Sequence, residues 1–117
     1  MNQHIGWQLS GGAAEAYERY IAQVILAERT RELVEVAAVR ENDRVLDVAC
    51  GTGVVVRHVA RYVGAGGHVV GLDINAGMLE MAGALLHQPA GASVAWREGN
   101  VGALPFPPAA FDVVLCQ

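Results

Sequence analysis

The sequence predicts an α/β fold built on a parallel sheet, and three observations carry that expectation. Short apolar runs at 44–49, 68–73, 94–96 and 111–116 read as strands, helix-spaced segments lie between the first three, and glycine or proline marks the junctions. Strands alternating with helices at this spacing form right-handed β-α-β units. A length of 117 residues suits a single domain, with an N-terminal helical segment at 1–43 and the sheet-bearing part at 44–117.

Each element follows from its residues. Across 13–38, Tyr17, Tyr20, Ile21, Val24 and Ile25 recur at intervals of three and four, then Leu33, Val34 and Ala37, which indicates one or two helices. The polar Glu41-Asn42-Asp43 ends that pattern. Arg44 to Ala49 is a short strand, apolar on both faces and therefore central. A glycine turn, Cys50 to Gly53, follows it. Val54, Val55 and Val56 resemble a strand, but Arg57, His58, Ala60 and Arg61 restore a helical face, and the glycines of 64–67 stop the helix. The strand 68–73 ends in an acid. Met78, Leu79, Met81, Ala82, Leu85 and Leu86 then give a helix that Gln88-Pro89 ends. Trp96 belongs to the third strand and to the core, and the loop from Gly99 to Ala110 holds three prolines.

Composition narrows the function classes. Apolar residues make up 53% of the chain and charged ones 17%, enough to build a core. The net charge of −4 is spread without a run of either sign, which argues against a nucleic-acid partner. No apolar run is long enough to span a membrane, and the N-terminus lacks the basic start and apolar block of a signal peptide, so a soluble cytoplasmic protein is expected. Cys50 and Cys116 stand far apart with no CxxC spacing, so neither a metal site nor a disulfide is expected.

The chemistry concentrates in the turn Asp47-Val48-Ala49-Cys50-Gly51-Thr52-Gly53 and in Asp73, twenty residues beyond Gly53. A strand, a glycine turn, a helix and an acid ending the next strand suit an adenosine-bearing cofactor. Glycines admit the ligand to the backbone, the helix start offers free N–H groups, and the acid accepts from two ribose hydroxyls. A tight turn without any ligand is one alternative. A nicotinamide or flavin dinucleotide site is another, but Val56 stands where that fingerprint wants a small residue, and Asp47 would repel a pyrophosphate. Asp47 suits a cationic ligand group instead.

VLDVACGTG, GLDIN, REGNVGALPF and FDVVLCQ, in that order across 44–117, resemble the four motifs of class I S-adenosylmethionine-dependent methyltransferases. The branch most similar is that of ubiquinone and menaquinone biosynthesis, and AAEAYERYI resembles the N-terminal helix such enzymes fold over the cofactor. The resemblance implies a Rossmann-like methyltransferase fold, cut after the fourth strand, with sheet order 3-2-1-4. It implies S-adenosyl-L-methionine as cofactor and a small-molecule methyl acceptor. By the same resemblance Asp47 would meet the amino group of the cofactor's methionine part, and the backbone at Ala49, Gly51 and Gly53 would pass beside it. Asp73 would hold the ribose hydroxyls, Ile74 and Met78 would pack on adenine and ribose, and Asn100 and the Val101 N–H would meet the adenine edge. Cys116 would lie at the mouth of the site, and Tyr17 and Tyr20 would form a lid.

Two substitutions depart from the family pattern: Ala49 replaces a glycine and Asn100 an aspartate. Family members also continue through three further strands. On that ground one sheet face is expected to be bare, with about eight large side chains facing water, and the loop 99–110 a poor cover. A homo-oligomer, or a partner chain covering the bare face, is expected in consequence. Methyl transfer from a sulfonium needs positioning and desolvation more than a base, and no catalytic residue is nominated. Asp112 is expected to serve a structural hydrogen bond, and Cys50 to fill the turn. Two functions stay open: a methyltransferase or its cofactor-binding part, and a non-catalytic module that self-associates or pairs with another chain.

Overall fold

The structure, a computed structural model, describes residues 27–86 and 91–116 together with positions 12 and 16. In chain order the elements are α1 (Ala27–Val36), β1 (Arg44–Val48), α2 (Val54–Val63), β2 (His68–Asp73), α3 (Ala76–Leu85), β3 (Ser93–Glu98), a 3-10 turn (Val101–Ala103) and β4 (Val113–Cys116). The four strands form one parallel sheet in the order β3-β2-β1-β4, as expected. The expected helical residues Tyr17, Tyr20, Ile21, Val24 and Ile25 lie outside the described residues, as does the 87–90 segment holding Gln88-Pro89.

β1 is central, and four of its five residues are buried. Alternate residues face opposite ways. Val45, Val69 and Leu115 point to the side where α1 and α2 pack, and they join Val34, Val55, Val56, Val59 and Val63 in the main core. The buried positions of α2 recur at helical spacing, so the valine run that imitates a strand serves as a helix face. Gly64 ends that helix at φ 76°, its N–H donating to the Ala60 carbonyl at 3.3 Å. Asn75 starts α3 by accepting the Met78 N–H at 3.1 Å.

The opposite face corrects the expectation of a bare surface. Leu46, Val48 and Leu72 are buried there, with Val70, Phe106 and Phe111 packed against them. Phe106 and Phe111 meet edge to face at 5.0 Å, and the Arg97 guanidinium lies 5.4 Å from the centre of the Phe106 ring. The proline-rich loop therefore carries two aromatic rings back across the sheet. At the outer strands this face is open: Val114 is 57% exposed, and Ala95 and Cys116 are exposed as well.

Three strands also differ in their limits from the sequence reading; β1 ends at Val48 instead of Ala49, which takes φ 57°. β3 extends from the expected 94–96 to 93–98, because its outer residues hold their register with β2 even though they are polar and exposed. β4 begins at Val113 instead of 111, because the Asp112 carboxylate accepts the Arg44 backbone N–H at 2.8 Å and its own N–H donates back to the Arg44 carbonyl at 2.8 Å. Asp112 thus holds the structural role expected of it. The adjoining guanidinium, 3.2 Å away, keeps the Asp112 carboxyl below its ordinary range. No described helix is long and apolar enough to cross a membrane.

Candidate cofactor-binding site

The carboxyl ends of β1, β2 and β3 converge beside the place where the strand order reverses, the usual position of a ligand crevice in such sheets. After β1, Ala49 takes φ 57° and Gly51 φ 59°, so the chain doubles back. Cys50 donates its N–H to the Leu72 carbonyl at 2.9 Å, which ties the turn to β2. Gly51 donates its N–H to Asp73 Oδ2 at 2.8 Å, and Asn75 donates to Asp73 Oδ1 at 2.8 Å. One carboxylate therefore fastens the turns after β1 and β2. Gly99 adds β3 to the same knot by donating to the Asp73 carbonyl at 3.0 Å.

A cleft of about 210 Å³ opens here, lined by Val48, Ala49, Leu72, Asp73, Ile74, Gly99, Asn100 and Val101. That is smaller than the roughly 300–1,000 Å³ of complete ligand pockets. Of the residues singled out from sequence, Ala49, Asp73, Ile74, Asn100 and Val101 line it. Gly51 adjoins it through the bond to Asp73. Met78 is buried, at 7% exposure, and does not line the cleft, and Cys116 is exposed at the end of β4, opposite Val48 in the register. Tyr17 and Tyr20 lie outside the described residues.

Val48, Leu72 and Gly99 line the cleft without having been singled out. Gly99 carried a signal, since it stands between the end of β3 and Asn100; a Cβ there would come within 3.0 Å of Leu72. The two leucine and valine positions carried none, because a cleft wall and a core strand look alike in sequence. Gly53 is turned away from the cleft: a Cβ at its position would lie 2.9 Å from the Trp96 ring, and its φ is 87°.

Electrostatics single out Asp47. It is 2% exposed and accepts no hydrogen bond from the described residues. Burial, and then the Asp73 charge, push its carboxyl up to about 7. Burial and both carboxylates also push the Cys50 thiol up, so it fills the turn as a neutral group rather than a reactive thiolate. Asn100 Oδ1 accepts the Gly102 N–H at 2.8 Å and so starts the 3-10 turn that holds Val101 in the cleft wall. Among the described residues no group of three or more metal-ligating side chains exists.

The methyltransferase-domain family matches residues 45–117, which contain all of β1 but its first residue, β2, β3, β4 and the whole cleft. The chain belongs to the class I S-adenosylmethionine-dependent methyltransferases. Among curated relatives, the chain is 36% identical over 107 residues to the ubiquinone/menaquinone biosynthesis C-methyltransferase UbiE of Pseudomonas paraeruginosa, covering 91% of this chain and 37% of that one. Among solved structures it matches a putative methyltransferase from Bacillus halodurans at 32% identity and TM-score 0.64, over 74% of this chain and 36% of the other. It also matches an RNA methyltransferase of Salinibacter ruber, solved with S-adenosyl-L-homocysteine, at 26% identity and TM-score 0.56, over 66% and 50% of the two chains. The chain thus spans about a third of the curated relative's length.

The residues fit the family's cofactor on two counts. Asp47 is a buried carboxyl with no hydrogen-bond partner among the described residues, which suits a cationic amino group. Asp73 holds one backbone N–H on each oxygen, and an ionised carboxylate has about four acceptor positions, so two remain for hydroxyl donors.

Proposed function

We propose that this chain is the cofactor-binding part of a methyltransferase that passes a methyl group from S-adenosyl-L-methionine to a small organic acceptor. The observation that carries the reading is the buried Asp47, without a hydrogen-bond partner among the described residues, beside a turn that Asp73 fastens to the next strand. Asp47 would hold the amino group, Asp73 the ribose hydroxyls, and the apolar walls at Ile74, Leu72 and Val101 the adenosine part. The small-molecule acceptor rests on the UbiE relative, whose name places it in quinone biosynthesis.

When bound, the cofactor supplies a methyl group on a sulfonium, a leaving group that needs no protonation. The protein's share is then to bind, to orient and to keep water out. Val48, Leu72 and Ile74 provide the dry wall, while the Gly51 N–H stays committed to Asp73 and keeps the turn in one conformation. β4 pairs only with β1 among the described residues. Its outer edge and the exposed Val114 are the surface at which a second copy or a partner chain would complete the molecule.

The test is calorimetric titration of the folded chain with S-adenosyl-L-homocysteine. Saturable binding, weakened about a hundredfold by Asp73→Ala, supports the reading, since charge-assisted hydrogen bonds contribute roughly 1.5–3 kcal/mol each. A folded chain that takes up none of this ligand at millimolar concentration sinks it and leaves a non-catalytic interaction module.

A further inference from the structure

Asp47 does more than await a cation. Its register partners on the neighbouring strands are Gly71 and Leu115, neither of which offers a polar side chain. An ionised carboxylate in such surroundings is unfavourable, and a group so placed keeps its proton instead. We propose that ligand binding at this site is proton-linked through Asp47: in the ligand-free chain its carboxyl holds a proton, which it releases to solvent when a ligand's ammonium group comes against it. This rests on the cofactor-binding reading and adds to it a rule about charge and pH.

Among the described residues, the charge that acts on Asp47 favours the protonated state. From the end of β2, Asp73 adds a negative charge. From the turn, Cys50 is held neutral and brings no countercharge. β4 contributes Leu115 and the exposed Cys116. On α2, the Arg57 guanidinium donates to the Thr52 carbonyl at 2.7 Å, and the buried residues of α3, Met78 and Ala82, carry no charge. No described arginine acts on Asp47, whose carboxyl rises from 3.8 to about 7.

The exchange balances simply. The carboxyl O–H bond breaks, the proton passes to buffer, and the carboxylate accepts an N–H from the ammonium group. A ligand with the adenosine part but no ammonium, such as 5′-methylthioadenosine, has nothing to exchange for the proton and binds without releasing it.

The experiment is calorimetry at pH 6.5 in two buffers of different ionisation enthalpy. With a carboxyl at about 7, wild type should release roughly three-quarters of a proton per S-adenosyl-L-homocysteine bound. Asp47→Asn should bind more weakly and release none, and 5′-methylthioadenosine should release none from wild type. Wild-type affinity for S-adenosyl-L-homocysteine should rise about tenfold from pH 5 to pH 6 and level off above 7. Binding with equal heats in both buffers overturns the proton linkage while leaving the cofactor reading standing. Absence of binding at every pH overturns both. Should Asp47→Asn fail to fold, the carbon-13 resonance of the Asp47 carboxyl in the ligand-free wild type decides: a midpoint near neutral supports the inference, and one near 4 refutes it.

Discussion

Ala49 carries a methyl group on a backbone that favours none. Its φ of 57° lies in the left-handed region, which costs a non-glycine residue about 1–2 kcal/mol. Glycine would remove that strain but would add about 0.4–1 kcal/mol of unfolded-chain entropy. We expect Ala49→Gly to stabilise the chain by about 1 kcal/mol or less, read from the midpoint of urea unfolding. A loss of stability would mean that the methyl group makes packing contacts worth more than the strain. The sequence shows Ala49 as a departure from the family pattern, but its backbone angle becomes visible only in the structure. Asp47 is similar. Its place at a strand end is legible, whereas its apolar neighbours on the flanking strands, Gly71 and Leu115, are residues that register alone brings beside it.

At the scale of elements, Trp96 joins parts of the fold that are distant in sequence. A Cβ at Gly71 of β2 would lie 2.7 Å from the Trp96 ring and 2.9 Å from the Cys50 sulfur, and a Cβ at Gly53 would lie 2.9 Å from the same ring. The indole therefore packs behind the glycine turn, against two backbones that can approach only because they bear no side chain. Gly71→Ala should cost about 1–3 kcal/mol by overpacking, measured by urea unfolding. Adding Trp96→Leu should recover part of that loss, so that the double-mutant cycle shows a coupling of at least 0.5 kcal/mol. Additive losses would show that the two sites do not share a contact. The parallel direction of the strands was legible because apolar runs and helical spacing alternate so regularly, and their order was legible only through the resemblance of the four motifs to the methyltransferases. The glycines' partner was not, since nothing local to Gly53 or Gly71 points to Trp96, and the polar ends of β3 hid three of its residues, Ser93, Arg97 and Glu98.

At the scale of the molecule, the open question is what keeps the second face of the sheet dry. Leu46, Val48 and Leu72 are each 4% exposed or less, and burying each contributes roughly 1.5–3 kcal/mol. That sum is comparable with the whole net stability of a domain, about 5–15 kcal/mol, so the cover over this face decides whether the fold stands. Phe106 and Phe111 supply it from a loop whose prolines conceal its packing role in the sequence. The two rings are only half-buried, so together their loss should cost less than the roughly 3–5 kcal/mol seen for a single fully buried phenylalanine. We expect Phe106→Ala with Phe111→Ala to lower stability by about 2–4 kcal/mol and to raise the apparent mass in sedimentation, as the uncovered leucines and valine find other partners. Val114→Thr on the same face, where the side chain is 57% exposed, should change stability by no more than about 0.5 kcal/mol. Unchanged unfolding of the double variant would show that the face is covered from elsewhere, and the weight given to the loop would pass to another segment.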